Sequence, residues 1–328
     1  MKSPRVSLAA LLTAQGQVTF NDCAAKLMLV SLAQQLVRTA GWDPKAVTAF
    51  LGALLVLPYV LFGPVCGWLA GRFSKRNVIN AALVTQIVVM GALIVALGVR
   101  SFEWSVAAFF LLSLQTAILA PAKRATILEY VGPDRLSRTV GYMEMINVTA
   151  VLAGSFAGGY LFSHWLSEGG DPWLAARGTA WILMGLSGIT WILFQLTAKT
   201  PVQSSEPFHF SLWVGHFTDV REVWSSRPLW RATIGICFFY GVGGYIAALV
   251  PQIAFELQHG DALTGAVQAK MFLMVGIGAM FGTLFAGLFP RRGIELGLAP
   301  IGGVLLALSF GALALLAPAS NGFRLALI

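Results

Sequence analysis

The sequence predicts an all-α integral membrane protein, a bundle of long apolar helices joined by short basic loops. Three observations carry that prediction. Of the 328 residues, 57% are hydrophobic and only 11% charged, less than half the roughly one quarter of charged residues in a soluble protein. The mean hydropathy is +0.76. The apolar residues are also gathered into runs of about 20 or more, which cross a bilayer core at about 1.5 Å of rise per residue. This balance excludes an ordinary soluble enzyme and a disordered chain. The net charge of +8 sits in clusters between the runs and forms no continuous stripe, so it reads as topology and not as a nucleic-acid surface.

Nine runs qualify as spans, near 8–37, 47–71, 78–99, 104–121, 138–163, 174–198, 231–256, 266–289 and 295–317. The first begins like a leader, with Lys2 and Arg5 before an apolar stretch. No small-residue cleavage site follows, and the run continues through the polar Asn21, Asp22 and Lys26, so it reads as a membrane helix. The second runs into the basic turn Arg72-Phe-Ser-Lys75-Arg76, and the fourth ends at Ala120-Pro121-Ala122, with Lys123 and Arg124 following as loop residues. The fifth holds Glu144 and Asn147, and the seventh a Tyr240-Gly-Val-Gly-Gly-Tyr245 run that permits a bend. Between the sixth and seventh lies the longest polar connection, 199–230. Its Trp213, Phe217, Val220 and Trp224 recur at i, i+4, i+7 and i+11, the stripe of an amphipathic helix lying on a membrane surface.

An amino terminus inside the cell places 15 of the 22 basic residues on the cytoplasmic side and 6 outside, with Lys26 within the membrane. That asymmetry predicts a cytoplasmic amino terminus. A weak repeat divides the chain. Gly71-Arg-Phe-Ser-Lys-Arg76 resembles Gly287-Leu-Phe-Pro-Arg-Arg292 at an offset of 216, and the same offset carries the third span onto the ninth. The expected organisation is a six-helix half over 1–198, a linker over 199–230 and an incomplete half over 231–328. The supplied chain is expected to stop inside a tenth of twelve spans, and paired repeats of this kind are a transporter pattern.

Charged groups inside the spans are the candidate site. Asp22 and Lys26 are four apart, so they share a helical face and can pair, and Gln15 extends the polar stripe. A charge at the bilayer centre costs at least a few kcal/mol unless it faces a cavity or partner, which favours function over a purely structural pair. Glu144 and Asn147 share a face of the fifth span; the plain alternative for Glu144 is a bridge to Lys123 or Arg124 that locks two helices. Arg72, Lys75 and Arg76 read as a latch made to acids such as Glu129 or to helix C-termini, or simply as topology signals. The four histidines have no ligand spacing and no nucleophile partner, and Cys23, Cys66 and Cys237 sit singly in apolar runs, so no metal, cofactor or hydrolase chemistry is expected. Gly276 to Gly282 lacks the spacing of a dinucleotide loop; Gly154 with Gly158, and Gly278 with Gly282, read as small-residue faces for close helix approach.

Gly67-Trp-Leu-Ala-Gly-Arg-Phe-Ser-Lys-Arg76 resembles the loop signature of the major facilitator superfamily, with Gly71 where the usual Asp stands. Gly154-Ser-Phe-Ala-Gly-Gly159 is similar to its antiporter motif, with Ser155 replacing proline. Within the superfamily, Phe20-Asn-Asp-Cys-Ala-Ala-Lys26, Ala120-Pro-Ala-Lys-Arg-Ala-Thr-Ile-Leu-Glu129 and Gly141-Tyr-Met-Glu144 resemble stretches of the lysophospholipid transporter family. The resemblance implies a major-facilitator-type bundle in the bacterial inner membrane that moves lysophospholipid, chiefly lysophosphatidylethanolamine, to the inner leaflet for reacylation. It also implies an acyltransferase or acyl-carrier-protein synthetase as partner, since some relatives are fused to such domains. The substrate residues expected on this reading are Asp22, Lys26, Lys123, Glu144 and Asn147, with Arg72, Lys75, Arg76 and Glu129 as the gate. A proton-coupled exporter of amphipathic drugs is the alternative, and a non-transporting anchor for an acyltransferase ranks below both.

Overall fold

The computed structural model describes residues 4–40, 44–198, 215–257, 264–288 and 298–316, and these are helical apart from short turns. Ten helices follow in order: α1 Pro4–Ala40, α2 Pro44–Arg72, α3 Lys75–Gly98, α4 Phe102–Val131, α5 Pro133–Gly169, α6 Pro172–Phe194, α7 Gly215–Ser225, α8 Arg227–Leu257, α9 Thr264–Leu288 and α10 Leu298–Leu316. The nine expected spans correspond to α1–α6 and α8–α10, and α7 falls on the amphipathic stripe, of which Trp213 lies outside the described residues. The repeated Arg291 and Arg292 lie outside the described residues.

Helix ends are set locally. Ser101 caps α4 by accepting from the Trp104 amide at 3.3 Å, and Asp171 caps α6 by accepting from the Trp173 amide at 3.0 Å, with Pro172 at the first helical position. Gly132, at φ +68°, ends α4 and starts α5. Two boundaries differ from the sequence reading. α4 runs through Pro121 to Val131, ten residues beyond the expected end, because its far part is packed inside the bundle: Ala122, Lys123, Thr126 and Ile127 are buried. α5 begins at Pro133 instead of near 138, which places Glu144 about 16 Å into the helix.

The chain forms two compact units, Met1–Gly215 and His216–Ile328. In the first, α1 packs along α5 and also on α6, α4 and α2, while α3 packs on α4 and α6 and α2 on α4. The α1–α5 contact is the tightest. A Cβ built on Gly154 would stand 2.9 Å from Phe20 Cα, and one on Gly158 2.7 Å from Ala24 Cα, so only glycine lets the backbones come this close. The other expected glycine face, Gly278 and Gly282 on α9, meets no described atom within 4 Å.

The core of the first unit has two apolar tiers. One gathers Ala24, Met28, Leu93, Phe109 and Leu183; the other gathers Leu11, Val18, Ile79, Leu83, Leu119 and Phe194. Between them, halfway along the helices, lies a buried polar layer of Asn21, Gln86, Ser113, Gln115, Thr116 and Ser187. Asn21 Nδ2 donates to Ser187 Oγ at 2.7 Å and to the Leu183 carbonyl at 3.1 Å. Asn80 meets Trp191 and Gln195 near one end of α3, and Gly98 meets Arg177 at the other, so equal helical rise sets Gln86 level with Ser187. Both amide atoms of Gln86, together with Gln115 Nε2 and Asn21 Oδ1, have no hydrogen-bond partner among the described residues.

Five helical segments are long and apolar enough to cross a membrane among the described residues, lying within α2 to α6. α1 is not one of them, although it lies at the centre of the unit, because its middle carries Gln15, Gln17, Asn21, Asp22 and Lys26.

Candidate functional site

α1 presents Asp22 halfway along its length, 7% exposed, and Oδ1 of the carboxylate has no hydrogen-bond partner among the described residues. Thr116 of α4 lies against this carboxylate. Two turns further along α4 comes Lys123, which is buried and within electrostatic reach of both Asp22 and Glu144. Lys123 is thus a bundle residue, where the sequence placed it in a loop. Glu144 and Asn147 sit half-buried one turn apart on α5.

Asn147 is held from α1. Its Oδ1 accepts from Thr19 Oγ1 at 2.9 Å and from Gln15 Nε2 at 3.1 Å, and its Nδ2 lies 3.5 Å from Glu144 Oε2. Three helices therefore bring Asp22, Lys123, Glu144 and Asn147 together. One buried acid, one half-buried acid and one buried base set close together can bind a group carrying both an anion and a cation, through charge-assisted hydrogen bonds.

Lys26 does not join them. No ion pair within 4 Å links it to Asp22 among the described residues, and its Nζ turns towards Gly52 of α2, 3.5 Å from where a Cβ would stand. The two residues share a face by spacing, but the carboxylate leans to α4 and the ammonium to α2. Glu144 and Lys123 likewise form no ion pair within 4 Å.

At the end of the unit where α1 begins, the basic turn contacts its neighbours. Lys75, 1% exposed, pairs with Glu129 of α4. Arg76 donates through Nε to Thr197 Oγ1 at 3.2 Å and through Nη2 to the Gln195 carbonyl at 3.4 Å, so a cation faces the carbonyl end of α6. The Ala198 amide donates to Ser7 Oγ at 2.9 Å and Tyr130 Oη donates to the Ala198 carbonyl at 3.2 Å. Arg72 is half-buried in the last turn of α2. In the second unit, Phe238, Gly241, Val242, Tyr245 and Phe310 line an open apolar hollow of about 440 Å³, with no charged side chain in its wall among the described residues.

Sequence reasoning missed Thr19, Thr116, Gln86, Gln115 and Ser187. All are neutral, and a hydroxyl or amide in an apolar helix shows no partner until its neighbouring helix is known. Asn21 was visible only as the edge of a polar stripe.

The Major Facilitator Superfamily profile matches residues 18–328. The lysophospholipid transporter LplT of Pectobacterium carotovorum subsp. carotovorum (strain PC1) is 26% identical over 278 residues, covering 84% of this chain and 63% of that protein. The lysophospholipid transporter LplT of Klebsiella pneumoniae subsp. pneumoniae is 28% identical over 240 residues, covering 72% of this chain and 55% of its own length. The chain thus spans about 55–63% of these relatives. Among solved structures, the human organic anion transporter MFSD10 (TETRAN) matches with a TM-score of 0.69 at 14% identity, covering 100% of this chain and 82% of that one. A bacterial homolog of the human lysosomal transporter Spinster, inward-facing and unoccupied, matches at 0.60 and 20% identity, covering 98% and 71%. These two likenesses carry the fold. With helix order and profile in agreement, the chain belongs to the Major Facilitator Superfamily of membrane transporters.

Proposed function

We propose that this transporter moves lysophospholipid, of the lysophosphatidylethanolamine type, between the leaflets of a bacterial inner membrane by alternating rocking of its two halves, with its amino terminus in the cytoplasm. The observation that carries the reading is the grouping of Asp22, Lys123 and Glu144 on three helices. A lysophosphatidylethanolamine headgroup bears one phosphate anion and one ammonium. Asp22 and Glu144 receive the ammonium and Lys123 holds the phosphate, with Asn147 beside them. The single acyl chain stays among apolar helix faces, so only the headgroup needs a polar path. The LplT relatives support the same substrate class. The Lys75–Glu129 pair and the Arg76 contacts close the end of the bundle where α1 begins and act as its gate, with Arg72 alongside. The product is then open to reacylation by a lysophospholipid acyltransferase or acyl-carrier-protein synthetase.

The test uses the full-length gene product in a bacterial strain lacking its own lysophospholipid importer. Conversion of externally added, labelled lysophosphatidylethanolamine to the diacyl lipid is followed in spheroplasts. Asp22→Asn and Lys123→Ala are expected to abolish conversion at matched membrane levels. Wild-type rates in both variants would sink the assignment; dye efflux driven by a proton gradient with no lipid conversion would replace it with drug export.

A further inference from the structure

The oxygen of Asn147 is occupied twice from α1, by Thr19 and by Gln15, and Gln15 Nε2 also donates to Thr19 Oγ1 at 3.3 Å. A side-chain amide is planar, so fixing its oxygen towards α1 turns its NH2 the other way, to Glu144 Oε2 on the same helix. The reverse orientation would set the Asn147 NH2 against the Gln15 NH2 and the Asn147 oxygen against a carboxylate, two repulsive contacts. The spacing of the two helices at this point is fixed from both sides. Gly16 lies under Ile146, where an added Cβ would stand 2.8 Å from Cγ2, and Gly154 lies on Phe20. The contact therefore cannot be retuned by sliding α1 along α5.

We propose that Thr19 and Gln15, acting through Asn147, are positioning residues for Glu144, and that this relay sets selectivity for headgroups that carry an ammonium over those that do not. The inference rests on the reading of Glu144 as an ammonium receptor. One oxygen of the Glu144 carboxylate lies 3.5 Å from the pinned amide, which biases the orientation of the carboxylate and the direction of its other oxygen. A cation has to meet that oxygen in a defined place, and charge-assisted hydrogen bonds reward such alignment. A headgroup with no ammonium gains nothing from it. The hydroxyl of Thr19 touches no headgroup itself; its effect on substrate choice passes through two side chains of α5.

The experiment compares lysophosphatidylethanolamine with lysophosphatidylglycerol, whose headgroup carries the phosphate but no ammonium, in the full-length protein at matched membrane levels. Thr19→Val is expected to raise KM for the ethanolamine lipid by about tenfold, the scale of one lost hydrogen bond to a charged group, and to leave KM for the glycerol lipid and both kcat values unchanged. Thr19→Ser, which keeps the hydroxyl, restores the wild-type ratio. Gln15→Leu gives the same shift to a smaller degree, and it carries the test if Thr19→Val inserts poorly. An equal loss for both lipids in Thr19→Val and Gln15→Leu would mean a purely structural seam and overturn the relay. Glu144→Gln separates the two layers of the argument. If it leaves the ratio of the lipids unchanged, Glu144 is no ammonium receptor and the relay falls with that reading. If it shifts the ratio while both α1 variants do not, only the relay falls.

Discussion

Replacing Gly158 by alanine tests the closest helix contact among the described residues. The added Cβ would stand 2.7 Å from Ala24 Cα and 2.8 Å from the Ala24 carbonyl carbon, and would press on the carbonyl oxygen as well. All three atoms are backbone, so no side chain can turn aside. Restoring ordinary contact moves α1 and α5 apart by about 0.7–1 Å, a gap that forfeits a quarter to a half of the dispersion energy of each atom pair across it. Overpacking of this kind costs about 1–3 kcal/mol, and the upper part of that range is expected because the contact extends along the helices to Phe20. The neighbouring Gly159 supplies the control, since nothing lies within 4 Å of its Cβ position. Gly159→Ala meets no obstacle and is expected to be neutral or up to about 1 kcal/mol stabilising from helix propensity. The two variants should therefore differ by about 3 kcal/mol in reversible unfolding, followed by tryptophan fluorescence in detergent. A difference below about 0.5 kcal/mol would refute the reasoning, because the same chemical change would then be indifferent to what the Cβ meets.

Two further predictions follow from buried polar groups. Gln86→Leu removes two amide atoms that have no hydrogen-bond partner among the described residues, and is expected to stabilise the protein by about 1–3 kcal/mol; a loss of more than about 1 kcal/mol in the same unfolding assay would mean that the amide is satisfied in the folded protein. Glu129→Gln strips the partner from Lys75, which is 1% exposed, and should cost about 3–5 kcal/mol, whereas the double variant Lys75→Met with Glu129→Gln should recover most of that loss. Additive losses in this double-mutant cycle would show that the two side chains are not coupled.

The order of spans was legible in the sequence because a bilayer rewards long apolar runs whatever they pack against, and the same logic singled out Asp22 and Glu144 as charges out of place. Lys123 was harder. The polar residues after Pro121 lower the local hydropathy and look like a loop, yet α4 continues because its far turns are buried among neighbouring helices. Spacing put Lys26 on the face of Asp22 but said nothing of which neighbour each side chain would meet. The polar layer was invisible for a related reason. Asn21, Gln86, Gln115 and Ser187 are far apart in the sequence, and only the packing of α1, α3, α4 and α6 sets them at one height. Likewise the two glycine pairs look alike as sequence, but among the described residues only Gly154 and Gly158 have a backbone laid against them.

The low hydropathy of α1 has a consequence during synthesis. This helix leaves the ribosome before the helices it packs on, yet most of the groups that receive its polar face lie on α4, α5 and α6: Thr116 and Lys123 for Asp22, Asn147 for Thr19 and Gln15, and Ser187 for Asn21. More than 160 residues separate Asn21 from Ser187. Until those helices have been translated, Asp22 and the amides of α1 lack the partners that shield them from lipid, and lateral release from the insertion machinery costs about 2.5–3.5 kcal/mol for an uncompensated charge near the helix centre. Within the first unit, α1 is thus expected to be among the last helices secured, although it is made before its partners.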